Sequence, residues 1–150
     1  MADLPMLRGW IATPEVARWW GGEDDPFVAE ELGDPRFAPW IVAHGGRPFA
    51  YLQDYDVHGW PGHHFGHLPD GARGIDQIIG LPAMIGRGHG TRFIAQAMTA
   101  LFAAGAPVIA TDPHPDNARA IAVYRKLGFA VAGEARETEW GRILPMEAWR

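Results

Sequence analysis

Gly74-Ile75-Asp76-Gln77-Ile78-Ile79 and, five residues on, Ile85-Gly86-Arg87-Gly88-His89-Gly90-Thr91 form a β-branched run followed by a glycine-rich turn. Residues 74–79 read as a strand. After the turn, Phe93, Ile94, Ala97, Met98, Leu101 and Phe102 repeat at helical spacing over residues 91–104 and mark one buried stripe. Gly105 stops that helix, and residues 108–111, Val-Ile-Ala-Thr, read as a second short buried strand. A strand, a crossover helix and a strand in this order imply parallel pairing with a right-handed connection.

The turn itself has a chemical use. Glycines let the backbone approach an anion closely, and a helix N-terminus offers free N–H groups and partial positive charge. Arg87 can add a bidentate contact to a phosphate. Read alone, the segment fits an ordinary strand-to-helix turn as well. It is not a Walker A loop, because no Lys-Ser/Thr pair follows the glycines, and Phe93 stands where a dinucleotide fingerprint needs its third glycine.

Beyond the second strand comes Thr111-Asp112-Pro113-His114-Pro115-Asp116-Asn117. Asp116 or Asn117 caps a helix that runs to Leu127 and closes at Gly128. Ala120 and Tyr124 then share a face, one and two turns on from the cap. A small residue there admits a ligand and a phenol can reach it; a capped helix with a buried tyrosine is the plain alternative. Residues 129–135 and 142–149 read as two final strands.

Upstream, residues 4–10 read as a helix, and Thr13-Pro14-Glu15 opens another with Thr13 as N-cap, ending at Trp19-Trp20-Gly21-Gly22. Residues 27–32 add a turn or two of helix. Residues 40–44 and 47–55 flank Gly45-Gly46 as a hairpin. Residues 56–71 read as a solvated loop rich in Gly, Pro and His. His63-His64-x-x-His67 could hold a metal, but no second Cys/His pair or carboxylate helix supports it, so no metal is expected.

The 150 residues fit one domain with one core, and the hydrophobic fraction of 47% is that of an ordinary globular chain. No apolar run reaches the ~18 residues of a membrane span, and no signal-like N-terminus is visible, so a cytoplasmic chain with no membrane partner is expected. A net charge of −5 argues against a nucleic-acid ligand and suits a cationic small molecule. Cys is absent, which removes disulfides and thiolate metal sites; Ser is absent too. Without these nucleophiles, an acyl transfer should pass directly from donor to acceptor. Seven Trp residues serve packing or supply flat walls for a polar ligand.

The strand 74–79, the turn Arg87-Gly88-His89-Gly90 and the pattern Asn117-x-x-Ala120-x-x-x-Tyr124-x-x-x-Gly128-Phe129 together resemble the GCN5-related N-acetyltransferase (GNAT) superfamily. The usual Gln or Arg three residues before the first motif glycine is replaced by Ile85. Within the superfamily, Val16-Ala17-Arg18-Trp19-Trp20-Gly21-Gly22, Arg73-Gly74-Ile75-Asp76-Gln77 and the segment 111–121 look like the aminoglycoside 6′-N-acetyltransferases. The likeness covers most of the chain and is loosest over residues 56–71. Siderophore-biosynthesis acylases share the plan but typically carry His where this chain has Asp76.

The resemblance implies an α/β fold: a mixed, mostly antiparallel sheet whose central parallel strand pair splays to hold acyl-CoA, with helices on both faces. The superfamily's first strand is apparently missing, because residues 4–10 already read as helix. It implies acetyl-CoA as acyl donor, held by Ile85, Gly86, Arg87, Gly88, His89, Gly90 and Thr91 around the pyrophosphate and by Asn117, Ala120 and Tyr124 along the arm. Backbone N–H groups near Ile78 and Ile79 would polarise the thioester. Asp76 would be the general base, directly or through water, although an ordinary carboxyl pKa of ~3.9 makes it a weak one; a structural strand carboxylate is the alternative. Tyr124 would protonate the departing thiolate. Asp112, Trp20, Gln53 and Tyr55 would border the pocket of a small-molecule amine, in a monomer or homodimer. The expected acceptor is an aminoglycoside-like amino sugar. The alternatives are a siderophore or other small amine, or a non-catalytic domain that binds acyl-CoA.

Overall fold

The computed structural model describes residues 2–20 and 32–150. The elements run α1 (Leu4–Ile11), α2 (Pro14–Trp20), β1 (Phe37–His44), β2 (Arg47–Asp56), β3 (Arg73–Ile79), α3 (His89–Ala103), β4 (Val108–Thr111), α4 (Ala118–Lys126), β5 (Ala130–Val131), β6 (Arg136–Thr138), β7 (Gly141–Ile143) and β8 (Met146–Trp149). The main sheet has the order β1-β2-β3-β4-β8-β5, and β6 and β7 form a separate two-stranded ribbon. Every pairing is antiparallel except β3 with β4. Among the described residues no strand precedes α1, and β1 is the sheet edge, with Trp40 and Ile41 exposed on it. The helical turn expected over residues 27–32 falls largely outside the described residues.

Strand alternation divides the side chains between two faces. On one, Ala50, Leu52, Ile75 and Ile109 pack with Phe93, Ile94 and Met98 of α3 and with Ile121 and Tyr124 of α4. On the other, Tyr51 and Ile78 meet Leu7, Trp10 and Ile11 of α1 and Val16 of α2. Farther along that face, Tyr55, Val108 and Ala110 pack on Val57, Phe65, Leu68 and Ala72. The segment between β2 and β3 is therefore not the solvated loop its composition suggests. Phe65 is fully buried and His63 is 8% exposed, because a few apolar residues among the glycines anchor it to the sheet.

The parallel pair is short. Arg73 pairs with Ile109 and Gly74 with Ala110, and the ladder ends there. Thr111 Oγ1 donates to the Ile75 carbonyl at 3.2 Å, and Asp112-Pro113 then leads the chain away, Pro113 having no N–H for a ladder. β3 continues to Ile79, paired only with β2 on its other side. A wedge opens between β3 and the start of α4.

Two expectations at the C-terminus and one at the N-terminus are corrected. The strand read over 129–135 reduces to Ala130–Val131, followed by a bend at Gly133. The strand read over 142–149 is broken before Met146 by Pro145, whose carbonyl instead accepts from Ala132 N at 2.9 Å; its first part pairs with β6 in the ribbon. Thr13 does not cap α2 with its hydroxyl: Oγ1 donates back to Trp10 O at 2.7 Å and ties α2 to the end of α1.

Candidate active site

Two cavities meet in the wedge. The smaller, about 460 Å³, runs between β3 and α4 and reaches the glycine-rich turn; Ile78, Ile79, Ile85, Gly90, Asn117 and Ala120 line it. The larger, about 710 Å³, opens on the opposite side; Asp76, Asp112, Tyr55, Trp60, His64 and Trp140 are among its walls. Trp19, Trp20, Gln77, Asn117, Ala120 and Tyr124 border both, so the floor of the wedge is where the contents of the two can react.

The turn offers an anion cradle. Gly86 and Gly88 have φ of 75° and 79°, and nothing lies within 4 Å of where a Cβ would stand on either. Gly88 is the N-cap of α3, so the first-turn N–H groups of His89, Gly90 and Thr91 face no side-chain cap. Gly86, Arg87 and Gly88 are exposed. His89 turns toward Phe49 and His44, with ring centroids at 5.2 and 5.1 Å. Its imidazole is held below the ordinary range by desolvation first, then by His44, Arg92 and Arg87. The positive charge that depresses His89 is charge that favours a bound phosphate. An open glycine turn, a helix N-terminus and a long cleft suit the phosphates and arm of coenzyme A.

Asn117, not Asp116, caps α4: its side chain accepts from Ala120 N at 3.2 Å. This fixes Ala120 and Tyr124 on the wedge. Tyr124 is buried, and burial raises its phenol well above the ordinary range, against the lowering effect of hydrogen bonds with Thr111 and Gln77. The Gln77 side-chain amide donates to the phenol oxygen, and Gln77 Oε1 is buried without a partner among the described residues. The phenol stays protonated at neutral pH.

Asp76 lies directly across the antiparallel ladder from Gln53. Gln53 is fully buried; it donates from Nε2 to Asp76 Oδ2 at 3.1 Å and accepts from Tyr51 O–H at 2.7 Å. It therefore sits behind Asp76 and does not line the acceptor cavity. Burial, then the charge of Asp112, pushes the Asp76 carboxyl up to about 7, with the Gln53 hydrogen bond pulling the other way. Asp76 and Asp112 each stand two residues past the last parallel pair, Gly74 with Ala110, which is why they face one cavity.

Trp20 lies between the two cavities. Tyr55 borders the larger cavity with little open surface: it is 4% exposed and packs over Gly74, where a Cβ would come within 2.2 Å of its ring. Sequence reasoning missed several walls. His64 Nε2 lies 2.7 Å from Asp112 Oδ2. Trp140, at the β6–β7 turn, is 5.0 Å from the His63 ring and 5.4 Å from the His64 ring. Trp60 carries Arg36 on its face at 4.3 Å, and Trp19 packs on His114 at 5.6 Å. Only the count of Trp and the run His63-His64 hinted at them. His58 and His67 turn to other partners: His58 Nε2 meets Leu68 O and His67 Nε2 meets Glu147, at 3.0 and 3.4 Å. Among the described residues no group of His, Cys, Asp and Glu is arranged to hold a metal, and no helix is long and apolar enough to cross a membrane.

A splayed parallel pair, a glycine turn at the head of α3 and a buried tyrosine on α4 define an acyl-CoA-dependent N-acetyltransferase. The family model for the acetyltransferase (GNAT) domain matches residues 1–136, and the chain belongs to that family. It is 32% identical over 142 residues to aminoglycoside N(6′)-acetyltransferase type 1 of Klebsiella pneumoniae, covering 87% of this chain and 71% of that one. The fold is similar to aminoglycoside acetyltransferase AAC(6′)-Ib in complex with coenzyme A, with a TM-score of 0.87 at 31% identity over 99% of this chain and 90% of that one. AAC(6′)-Ib with coenzyme A and kanamycin gives a TM-score of 0.85 at 30% identity, covering 99% and 90%.

Proposed function

We propose that this chain moves an acetyl group from acetyl-CoA directly to a primary amine of an aminoglycoside-like amino sugar. The observation that carries this reading is the meeting of the two cavities at Tyr124, with Asp76 and Asp112 on the acceptor side and the glycine turn beyond Ile85 on the donor side. The 32% identity to an aminoglycoside N(6′)-acetyltransferase supports the same acceptor class.

Each residue has a defined task. Asp76 and Asp112 attract the ammonium. Asp76, with its carboxyl lifted to about 7, takes the amine proton more readily than an ordinary carboxylate does. The open edge of β3 at Ile78 and Ile79 orients the donor arm and polarises its carbonyl through backbone N–H groups. The amine nitrogen forms its bond to the acyl carbon and the carbon–sulfur bond breaks. Tyr124 gives its proton to the departing sulfur, and the Gln77 amide steadies the phenol oxygen. Solvent restores the proton. The chain has neither Ser nor Cys, which agrees with a direct transfer.

A second reading, acetylation of a smaller or less cationic amine, draws on the segment between β2 and β3, which presents Trp60, His63 and His64 to the acceptor cavity with no carboxylate among them. The deciding experiment follows thiol release from acetyl-CoA with kanamycin, ribostamycin and a panel of simple amines. Turnover of the amino sugars is expected. Turnover of simple amines alone would reject the acceptor, and no thiol release with any amine would reject the transferase.

A further inference from the structure

His64 is the loop residue that the transfer chemistry leaves unexplained. Its side chain is 8% exposed in the wall of the acceptor cavity, with Nε2 2.7 Å from Oδ2 of Asp112, which is itself 19% exposed. The two residues are 48 apart in sequence, so the pairing is tertiary. Neighbouring groups hold the residue in place. His63 stacks on it at 4.3 Å and 22°, Phe65 packs at 4.4 Å, and Arg136 Nη2 donates to the His64 carbonyl at 3.1 Å.

The donor of the pair follows from the hydrogen-bond inventory. A carboxylate accepts, so Nε2 carries a proton. Nδ1 is buried with no partner among the described residues. Nε2 is therefore the donor of the pair, and one Asp112 oxygen is tied down. The stacked His63 adds no competing cation, since burial, then the neighbouring His64, lowers its imidazole to about 4.

We propose that His64 is a positioning residue for acceptor binding: it orders the Asp112 carboxylate through one oxygen, leaving the second to receive an ammonium of the acceptor beside Asp76. This rests on the reading of the cavity as an amine site and goes beyond it by assigning a residue outside the transfer chemistry. Ordering in advance matters because a free carboxylate loses rotamer freedom on pairing, whereas one already fixed does not. The effect belongs to acceptor binding, not to the bond-making step.

The test compares His64→Phe and His64→Gln with wild type. Phe keeps the stack and removes the donor; Gln replaces the ring but returns an N–H at similar reach. With kanamycin as acceptor, His64→Phe should raise the acceptor KM on the order of tenfold or more, with kcat and the acetyl-CoA KM little changed. His64→Gln should recover most of the loss. A wild-type acceptor KM in folded His64→Phe overturns the proposal. So does His64→Gln that is no better than Phe, or an equal rise in the acetyl-CoA KM. If wild type acetylates no amine, the functional reading fails by itself, and ¹⁵N NMR of the His64 ring at pH 7.5 decides the pairing. A proton held on Nε2 sustains it, and the tautomer mixture typical of a free imidazole overturns it.

Discussion

Gln53 and Asp76 face each other across β2 and β3, and the Gln53 amide donates to Asp76 Oδ2 at 3.1 Å while accepting from Tyr51 O–H. The hydrogen bond lowers the Asp76 carboxyl against burial and Asp112, which raise it. Gln53→Leu removes the donor and should lift the carboxyl further above about 7. The lower limb of the kcat/KM–pH profile would then move to higher pH. An unmoved limb would show that Gln53 does not tune Asp76.

Asp76→Asn should cut turnover by ~10²–10⁴-fold, the usual range for a lost general base. It should also change the pH dependence of stability. The ordinary carboxyl value is 3.8 and the folded one is about 7, so the native state holds the proton more tightly than the unfolded state. Wild-type stability therefore falls as pH rises from ~4 to ~7 and stays reduced above that. The Asn variant lacks this loss, and its advantage over wild type should grow across the window, to on the order of a few kcal/mol. Urea midpoints at pH 4 and pH 8 measure it. Parallel behaviour of the two proteins would show that the carboxyl is not raised.

Gly88→Asp and Gly88→Asn share size and shape, and both occupy a left-handed position, φ 79°, with open space around the new Cβ. Each should cost roughly 1 kcal/mol of stability. They differ in charge at the head of α3, so only Asp should weaken acetyl-CoA binding strongly, by tenfold or more. Calorimetric titration distinguishes them. Equal affinities would remove the donor's phosphates from this turn.

Tyr124→Phe keeps the ring in the core and removes the proton donor. Turnover should fall ~10²–10⁴-fold with both KM values little changed. A pre-steady-state measurement isolates the chemical step. A wild-type rate for that step would leave Tyr124 with packing alone.

The local periodicities of the chain were sufficient for most elements. β3, α3, β4 and α4 follow from alternation, a helical stripe, a glycine turn and an Asn cap, all short-range signals, and the parallel pair follows from their order. It was the resemblance to the GNAT superfamily that singled out Asp76, Tyr124 and the glycine turn as one site. Elsewhere local composition misled. Gly, Pro and His made residues 56–71 look solvated, yet Phe65 and Leu68 are buried against the sheet. Apolar character made 142–149 look like one strand, although Pro145 breaks it.

The remainder depends on contacts between residues far apart in the chain. The lifted Asp76 carboxyl requires burial in the wedge and Asp112 at its side. The His64–Asp112 pair spans 48 positions, and Trp140 reaches His63 and His64 from a ribbon outside the main sheet. Backbone preferences act over a few residues, so a sequence carries the elements and their order. Charge, desolvation and side-chain pairing act through space, and they take their values only once β3, β4, α4 and the segment between β2 and β3 have closed around one cavity.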